Sequence, residues 1–153
     1  MPIPTLIPIE NPDHAVLSQS VFDAVVVVAP SFDLPEFPQI QAIVRATSAV
    51  DSRLGSALLL LPASKLAGGR LILAPTGPLH RDYDDVRCFG DAARSAIVCA
   101  REAGACNPLL LVPRIPLDSS YAHALEVSLL EAMGAFWTPP EARDTALGPE
   151  SSI

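Results

Sequence analysis

Leu71-Ile72-Leu73-Ala74-Pro75-Thr76-Gly77-Pro78, followed by Leu79-His80-Arg81-Asp82-Tyr83-Asp84-Asp85-Val86, is the stretch that decides the fold. Its first four residues are an unbroken apolar run and read as a strand, Pro75 to Pro78 as a turn, and a helical pattern starts at Val86. Val86, Phe89, Ala93, Ile97 and Ala100 recur every three or four residues, while Arg87, Asp91, Arg94 and Arg101 fall mostly outside that stripe. A helix with one apolar face needs a sheet to cover. Asp84 or Asp85 suits the helix cap, because a carboxylate accepts free backbone N–H groups and complements the positive end of the helix dipole. Gly104 suits the left-handed exit. Strand, loop and capped helix make half of a β-α-β unit.

The flanking segments extend the same architecture. Phe22 to Ala29 is a continuous β-branched run, the pattern of a central strand buried on both faces. After a loop broken by Pro30, Pro35 and Pro38, the residues Ile40, Ile43, Val44, Thr47 and Val50 keep helical spacing to about Asp51. Leu58 to Leu61 is a second apolar run, separated from the strand at Arg70 only by Pro62 to Gly69. A parallel crossover needs about a dozen residues, so these two strands form an antiparallel hairpin with Gly68 and Gly69 in its turn. Leu109 to Val112 gives another buried strand. A last helix starts near Ser119 or Ser120, directs Leu125, Leu129, Leu130 and Met133 to the core, and stops near Gly134. At the other end, Ile3, Leu6, Ile7 and Ile9 stand among prolines that cannot donate to a ladder, as in an edge strand or an arm. The sum is a single α/β domain over residues 1–137. It has a mixed, mostly parallel sheet of five or six strands with one antiparallel hairpin, and about three helices; residues 138–153 read as linker or disordered tail.

Composition narrows the function. The 153 residues suffice for one domain with a sizeable core. Half of them are hydrophobic and only 18% charged, against a usual share of about 25%, so the chain is expected to have a partner. Net charge is −7 and Lys65 is the sole lysine, which leaves no basic stripe for phosphates and argues against nucleic-acid binding. No apolar run approaches the roughly 18 residues of a membrane span, and no leader pattern opens the chain, so a cytoplasmic location without membrane contact is expected.

Candidate chemistry is sparse. Asp82, Asp84 and Asp85 with His80 supply the oxygen and nitrogen donors of a metal site, but their spacing fits no known metal loop, and acids before a helix are ordinary caps. The same carboxylates would repel a phosphate at that helix start. Cys88 and Cys99 lie about 16 Å apart along one helix at about 1.5 Å per residue, too far for a disulfide. Cys106 is the thiol expected to be exposed. A Cys–His pair could be drawn from these with His14, His80 or His123, but Cys88 and Cys99 at the edge of the apolar stripe read as inert small hydrophobes and the Cys106 loop lacks a flanking cation; His123 beside Glu126 reads as a solvated face, Ser119 and Ser120 as caps. No catalytic, cofactor-binding or metal-ligating residue is therefore assigned. Phe136 and Trp137, at the end of the last helix, either close the core or mark an interface.

The block from Arg70 through Leu79, then Arg81-Asp82-Tyr83-Asp84-Asp85-Val86-Arg87 and Gly90-Asp91-Ala92-Ala93-Arg94, resembles the N-terminal domain of the leucyl aminopeptidase (M17) metallopeptidase family, in the variety found in animal cytosolic aminopeptidase-like members. The likeness spans roughly residues 15–137. It implies a macro-domain-like fold, a non-catalytic role in oligomer assembly and in access to the active site, and an M17 catalytic domain and further copies, a hexamer in the family, as partners. In that family, catalysis resembles two-metal hydrolysis with ions such as Zn or Mn, held in the C-terminal domain by a lysine and carboxylates that include an Asn-Thr-Asp-Ala-Glu-Gly-Arg stretch. This chain has no such stretch, and Lys65 lies in a hairpin turn, so no ligand transfers. The alternative implied by a macro-like fold is a free-standing domain for a nucleotide or ADP-ribose.

Overall fold

The computed structural model describes residues 5–17, 21–80 and 84–136. Four strands are β1 (Ala24–Ala29), β2 (Leu59–Pro62), β3 (Arg70–Pro75) and β4 (Pro108–Leu111). Four helices are the single turn α1 (Pro12–Ala15), then α2 (Pro38–Ser48), α3 (Arg87–Glu102) and α4 (Ala124–Gly134). The strands form one sheet in the order β2-β3-β1-β4. β1 runs parallel to β3 and to β4, and β2 is antiparallel to β3, pairing Leu59 with Leu73 and Pro62 with Arg70. The fold is thus the mixed α/β sheet with one antiparallel hairpin read from the sequence.

Alternation along the strands builds two cores. Val25, Val27 and Ala29 of β1, with Leu71 and Leu73 of β3, pack against Ile40 and Val44 of α2 and against Ala15 of α1. Ala24, Val26 and Val28, with Ile72 and Ala74, face Phe89, Ala93, Ala96, Ile97 and Ala100 of α3 and the small residues of α4. Every residue of β1 is buried, as its unbroken valine run requires.

Several expectations shift. Four strands are found among the described residues rather than five or six: residues 5–9 belong to no strand, and Leu17 makes only an isolated bridge to Leu66. Strand β4, expected to be buried, is an edge of the sheet with only Leu109 fully buried, and β2 is the other edge, its apolar run half exposed. Val50 lies beyond the end of α2 and is exposed.

The larger correction concerns the last helix. It begins at Ala124, after a separate 3₁₀ turn at Ser119–Tyr121, and it buries Ala124, Ser128 and Ala132, while Leu125 and Leu130 face outward, the latter 69% exposed. The reason is close packing. A Cβ at Gly90 of α3 would stand 2.8 Å from Glu131 Cγ and 2.9 Å from Val127 Cγ1, so α3 keeps a glycine where α4 presses on it, and α4 at that short separation buries its small residues. The turn before it is capped by Asp118, whose Oδ1 accepts from the N–H and the hydroxyl of Ser120, not by either serine.

Candidate functional site

In an open α/β sheet a crevice forms at the carboxyl ends of the strands where neighbouring connections leave to opposite faces. That condition holds between β1, which feeds α2 on one face, and β3, which feeds α3 on the other. An open cleft of about 460 Å³ lies there, lined by Pro30 after β1, Gly77, Pro78, Leu79 and His80 after β3, and Ser56 from the loop before β2. A second hollow of about 330 Å³ also includes Ser56 and runs between β3 and α3, past Leu58, Cys88, Asp91 and Ser95.

The opposite rim, between β1 and β4, is bridged. Arg114 Nε and Nη2 donate to the Asp33 carbonyl oxygen at 3.2 and 3.0 Å, and Nη2 also donates to Glu36 Oε2 at 2.8 Å. Arg114 adopts φ 61°, a left-handed conformation that costs an L-residue about 1–2 kcal/mol. Hydrogen bonds from one guanidinium to two acceptors offset that strain and tie the two loops together.

The cleft wall after β3 is steadied from beneath. Tyr121 is buried, meets Phe89 edge to face with centroids 6.0 Å apart, and donates its hydroxyl to the Leu79 carbonyl oxygen at 3.4 Å. Burial pushes its phenol above the usual value, and the nearby Cys88 and Asp84 push the same way. At the start of α3 the cap position itself falls on Val86, which has no capping side chain. Asp85 Oδ1 accepts the N–H of Arg87 at 2.9 Å, and its carboxylate pairs with the Arg87 guanidinium at 2.7 Å. The Arg87 side chain first, then its N–H, hold that carboxyl below the usual range. Asp84 is half-buried beside it.

The other candidates are scattered. His80 is exposed on the cleft, Asp82 lies outside the described residues, and no group of three or more His, Cys, Asp or Glu side chains is arranged to hold a metal among the described residues. Cys88 lines the hollow beside α3. Cys99 is half-buried, and burial first, then Glu102, raise its thiol. Cys106 is exposed at the amino end of β4, away from the cleft, and His14 is exposed on α1. His123 Nδ1 is 3.9 Å from Glu126 Oε1, both side chains well exposed. No hydrogen bond joins a cysteine to a histidine among the described residues. Lys65 is exposed in the hairpin loop. Phe136 packs on the α3-side core under the Arg101 guanidinium, 4.9 Å from the ring centroid, and Arg101 also donates to the Ala135 carbonyl oxygen. Trp137 and residues 138–153 lie outside the described residues.

Sequence reasoning passed over three anchors: Tyr121, Arg114, and Asp23 at the far end of the sheet. The Asp23 carboxylate accepts from the N–H groups of Cys106 and Asn107 at 2.6 and 2.9 Å, and its carbonyl accepts from Arg70 Nη1 at 3.0 Å. An acid just before an all-apolar strand was the one available signal.

The chain is 35% identical over 136 residues to a Caenorhabditis elegans protein named as a putative aminopeptidase. The aligned part takes in 84% of this chain and 26% of the nematode protein, so the chain spans about a quarter of that relative's length. No family model matches. The relationship is to a part of an aminopeptidase-named protein, and the aligned length takes in most of the α/β domain.

Proposed function

We propose that this chain is the non-catalytic N-terminal domain of a cytoplasmic M17 leucyl-aminopeptidase-like metallopeptidase, serving oligomer assembly and access to the active site. The observation that carries the reading is the 35% identity to one quarter of an aminopeptidase-named protein. The mixed sheet with its antiparallel edge hairpin and helices on both faces suits the macro-domain-like arrangement that the family resemblance implies. In this reading the two divalent ions, such as Zn or Mn, and their ligands belong to a separate catalytic domain. This domain's low charge and its outward leucines on α4 belong at contacts with that domain or with other copies.

The test is light scattering on the purified chain, alone and mixed with the separately expressed remainder of the nematode relative. A heteromeric complex is expected, with leucine p-nitroanilide cleavage confined to fractions that contain the catalytic part. A chain that ignores the catalytic part, or that cleaves the substrate alone in a metal-dependent way, overturns the reading.

One observation favours a second reading. The cleft at the carboxyl ends of β1 and β3 stands where α/β sheets bind small ligands, and Gly77 on its wall brings backbone close to the space. A free-standing macro-like binder of a nucleotide or ADP-ribose is the alternative. Added ADP-ribose raises the melting temperature if the alternative holds, since a ligand of the native state stabilises it. The Asp85 carboxylate, which already occupies the Arg87 N–H at the start of α3, works against a phosphate there.

A further inference from the structure

We infer that the outer edge of β2 receives residues 5–9 of a second copy of this chain, which add there as a fifth strand. The inference rests on the fold and not on the aminopeptidase reading.

The donor segment has a one-sided pattern. Within residues 5–9 the proline, Pro8, stands at an even position, and Thr5, Ile7 and Ile9 at odd ones. Successive residues of a strand turn their N–H groups to opposite edges, so as a strand this segment lacks a donor at Pro8 on its even edge while the odd edge keeps its own. Such a strand accepts a neighbour on one side and ends the sheet on the other. Ile7 and Ile9 share a parity and hence a face. In its own chain the segment is solvent-exposed, Leu6 52% and Ile7 64%, and belongs to no strand among the described residues.

The acceptor is the edge that the fold leaves open. β2 is the terminal strand of the sheet, and Leu60, opposite Ile72 in the ladder, shares the α3-side face. Helix α3 covers β1 and β3 but not β2, and Leu60 stays 47% exposed. Leu58, two residues before it, lines the hollow whose other wall is Ala92 and Ser95 of α3, and Val98, one turn further along that helix, is also exposed. A free backbone edge thus borders a half-open apolar trough, and the isoleucines of an added strand fill it beside Leu58 and Leu60.

The occupant follows from what the chain itself leaves over. Residues 5–9 and β2 carry no charge, so the two segments meet without charge repulsion of their own in a molecule of net charge −7. The chain after the donor is fixed at the amino end of β3, where Ala67 N–H donates to the Val16 carbonyl oxygen and Leu17 bridges Leu66, and residues 5–9 before it are all exposed. Exchange between two copies satisfies both leftover surfaces at once, and reciprocal exchange closes a twofold dimer.

Sedimentation of the full chain across a concentration series tests this, with three variants. Wild type is expected to form a concentration-dependent dimer. Ile7→Pro removes an odd-edge donor, and Leu60→Lys places a charge in the trough; each weakens the dimer roughly tenfold or more. Leu6→Pro removes only an even-edge donor and leaves the dimer within about twofold of wild type. All three sites are exposed, and an unchanged far-ultraviolet spectrum reports intact folding. A monomer at every concentration overturns the inference, as does a dimer indifferent to Ile7→Pro and Leu60→Lys, or one as sensitive to Leu6→Pro as to Ile7→Pro. A monomer whose melting temperature falls with Ile7→Pro overturns it as well, by placing the segment on its own sheet. A chain that dimerises in this way yet ignores the catalytic part of the nematode relative sinks the preceding reading and leaves this one standing.

Discussion

At Gly68 and Gly69 two adjacent glycines share a left-handed φ, 67° and 69°, yet their surroundings differ completely. A Cβ on Gly68 would fall 1.7 Å from the Asp23 carbonyl oxygen, whereas one on Gly69 meets nothing within 4 Å. Gly69→Ala therefore costs only the left-handed strain, about 1–2 kcal/mol. Gly68→Ala must also push the hairpin off the start of β1, and is expected to cost more than about 3 kcal/mol. Urea denaturation of the two variants checks the order, and equal losses would show that the close approach is absent. A second residue-level expectation concerns acid. The Arg53 side chain, bonded to Asp51 Oδ1 at 3.0 Å and to Oδ2 at 2.8 Å, lowers the Asp51 carboxyl from 3.8 to about 2. A depressed carboxyl contributes its stabilisation above its unfolded pKa and loses it as pH falls through the folded one, so the window here runs from about 3.8 down to about 2. The pair is exposed and local, so its effect on global stability is small. Carbon-detected NMR titration of Asp51 should give a midpoint near 2 that moves toward 3.8 in Arg53→Ala; a wild-type midpoint already at 3.8 would remove the pair from solution.

At the level of elements, the helices divide by how well a period marks the buried face. In α3 the stripe Phe89, Ala93, Ile97 and Ala100 is flanked by arginines and acids, so spacing alone picked the covered side, and all four are buried. In α4 leucines and alanines alternate round the whole circumference, and no polar stripe distinguishes a side. Size decided the outcome: the helix buried Ala124, Ser128 and Ala132, set Val127 and Glu131 against Gly90, and left Leu125 and Leu130 outside. Nothing in a list of apolar positions ranks an alanine above a leucine for burial; only the neighbour does. The expected consequences are opposite at the two faces. Leu130→Gln should change stability by less than about 0.5 kcal/mol, the usual range for surface sites. Gly90→Val should cost about 1–3 kcal/mol or more by wedging α3 from α4. Thermal melts decide this, and a larger loss at Leu130 would return that leucine to the core. The hairpin and the central strand were legible for a different reason: the shortness of the Pro62 to Gly69 link and the β-branching of β1 each admit one solution. Tyr121, Arg114 and Asp23 were not, because each acts on a backbone atom far along the chain, a partner that no local pattern identifies.

For the molecule as a whole, electrostatics and apolar surface act in opposite directions, and salt separates them. Each copy carries a net charge of −7, so two copies repel at long range. The edge of β2 and residues 5–9 carry no ionisable side chain, so their contact contains no ion pair for salt to weaken. Raising ionic strength shortens the screening length from about 30 Å at 0.01 M to about 8 Å at 0.15 M, which removes the repulsion and leaves the ladder and the buried leucines intact. Self-association through β2 should therefore strengthen as sodium chloride rises over that range. Its concentration midpoint in sedimentation should fall, and the shift should persist in Glu126→Gln, an exposed residue of α4. A complex held by charge complementarity would behave in the reverse sense and weaken. Salt-induced dissociation of the dimer would move the contact from the apolar edge of the sheet to a charged part of the surface.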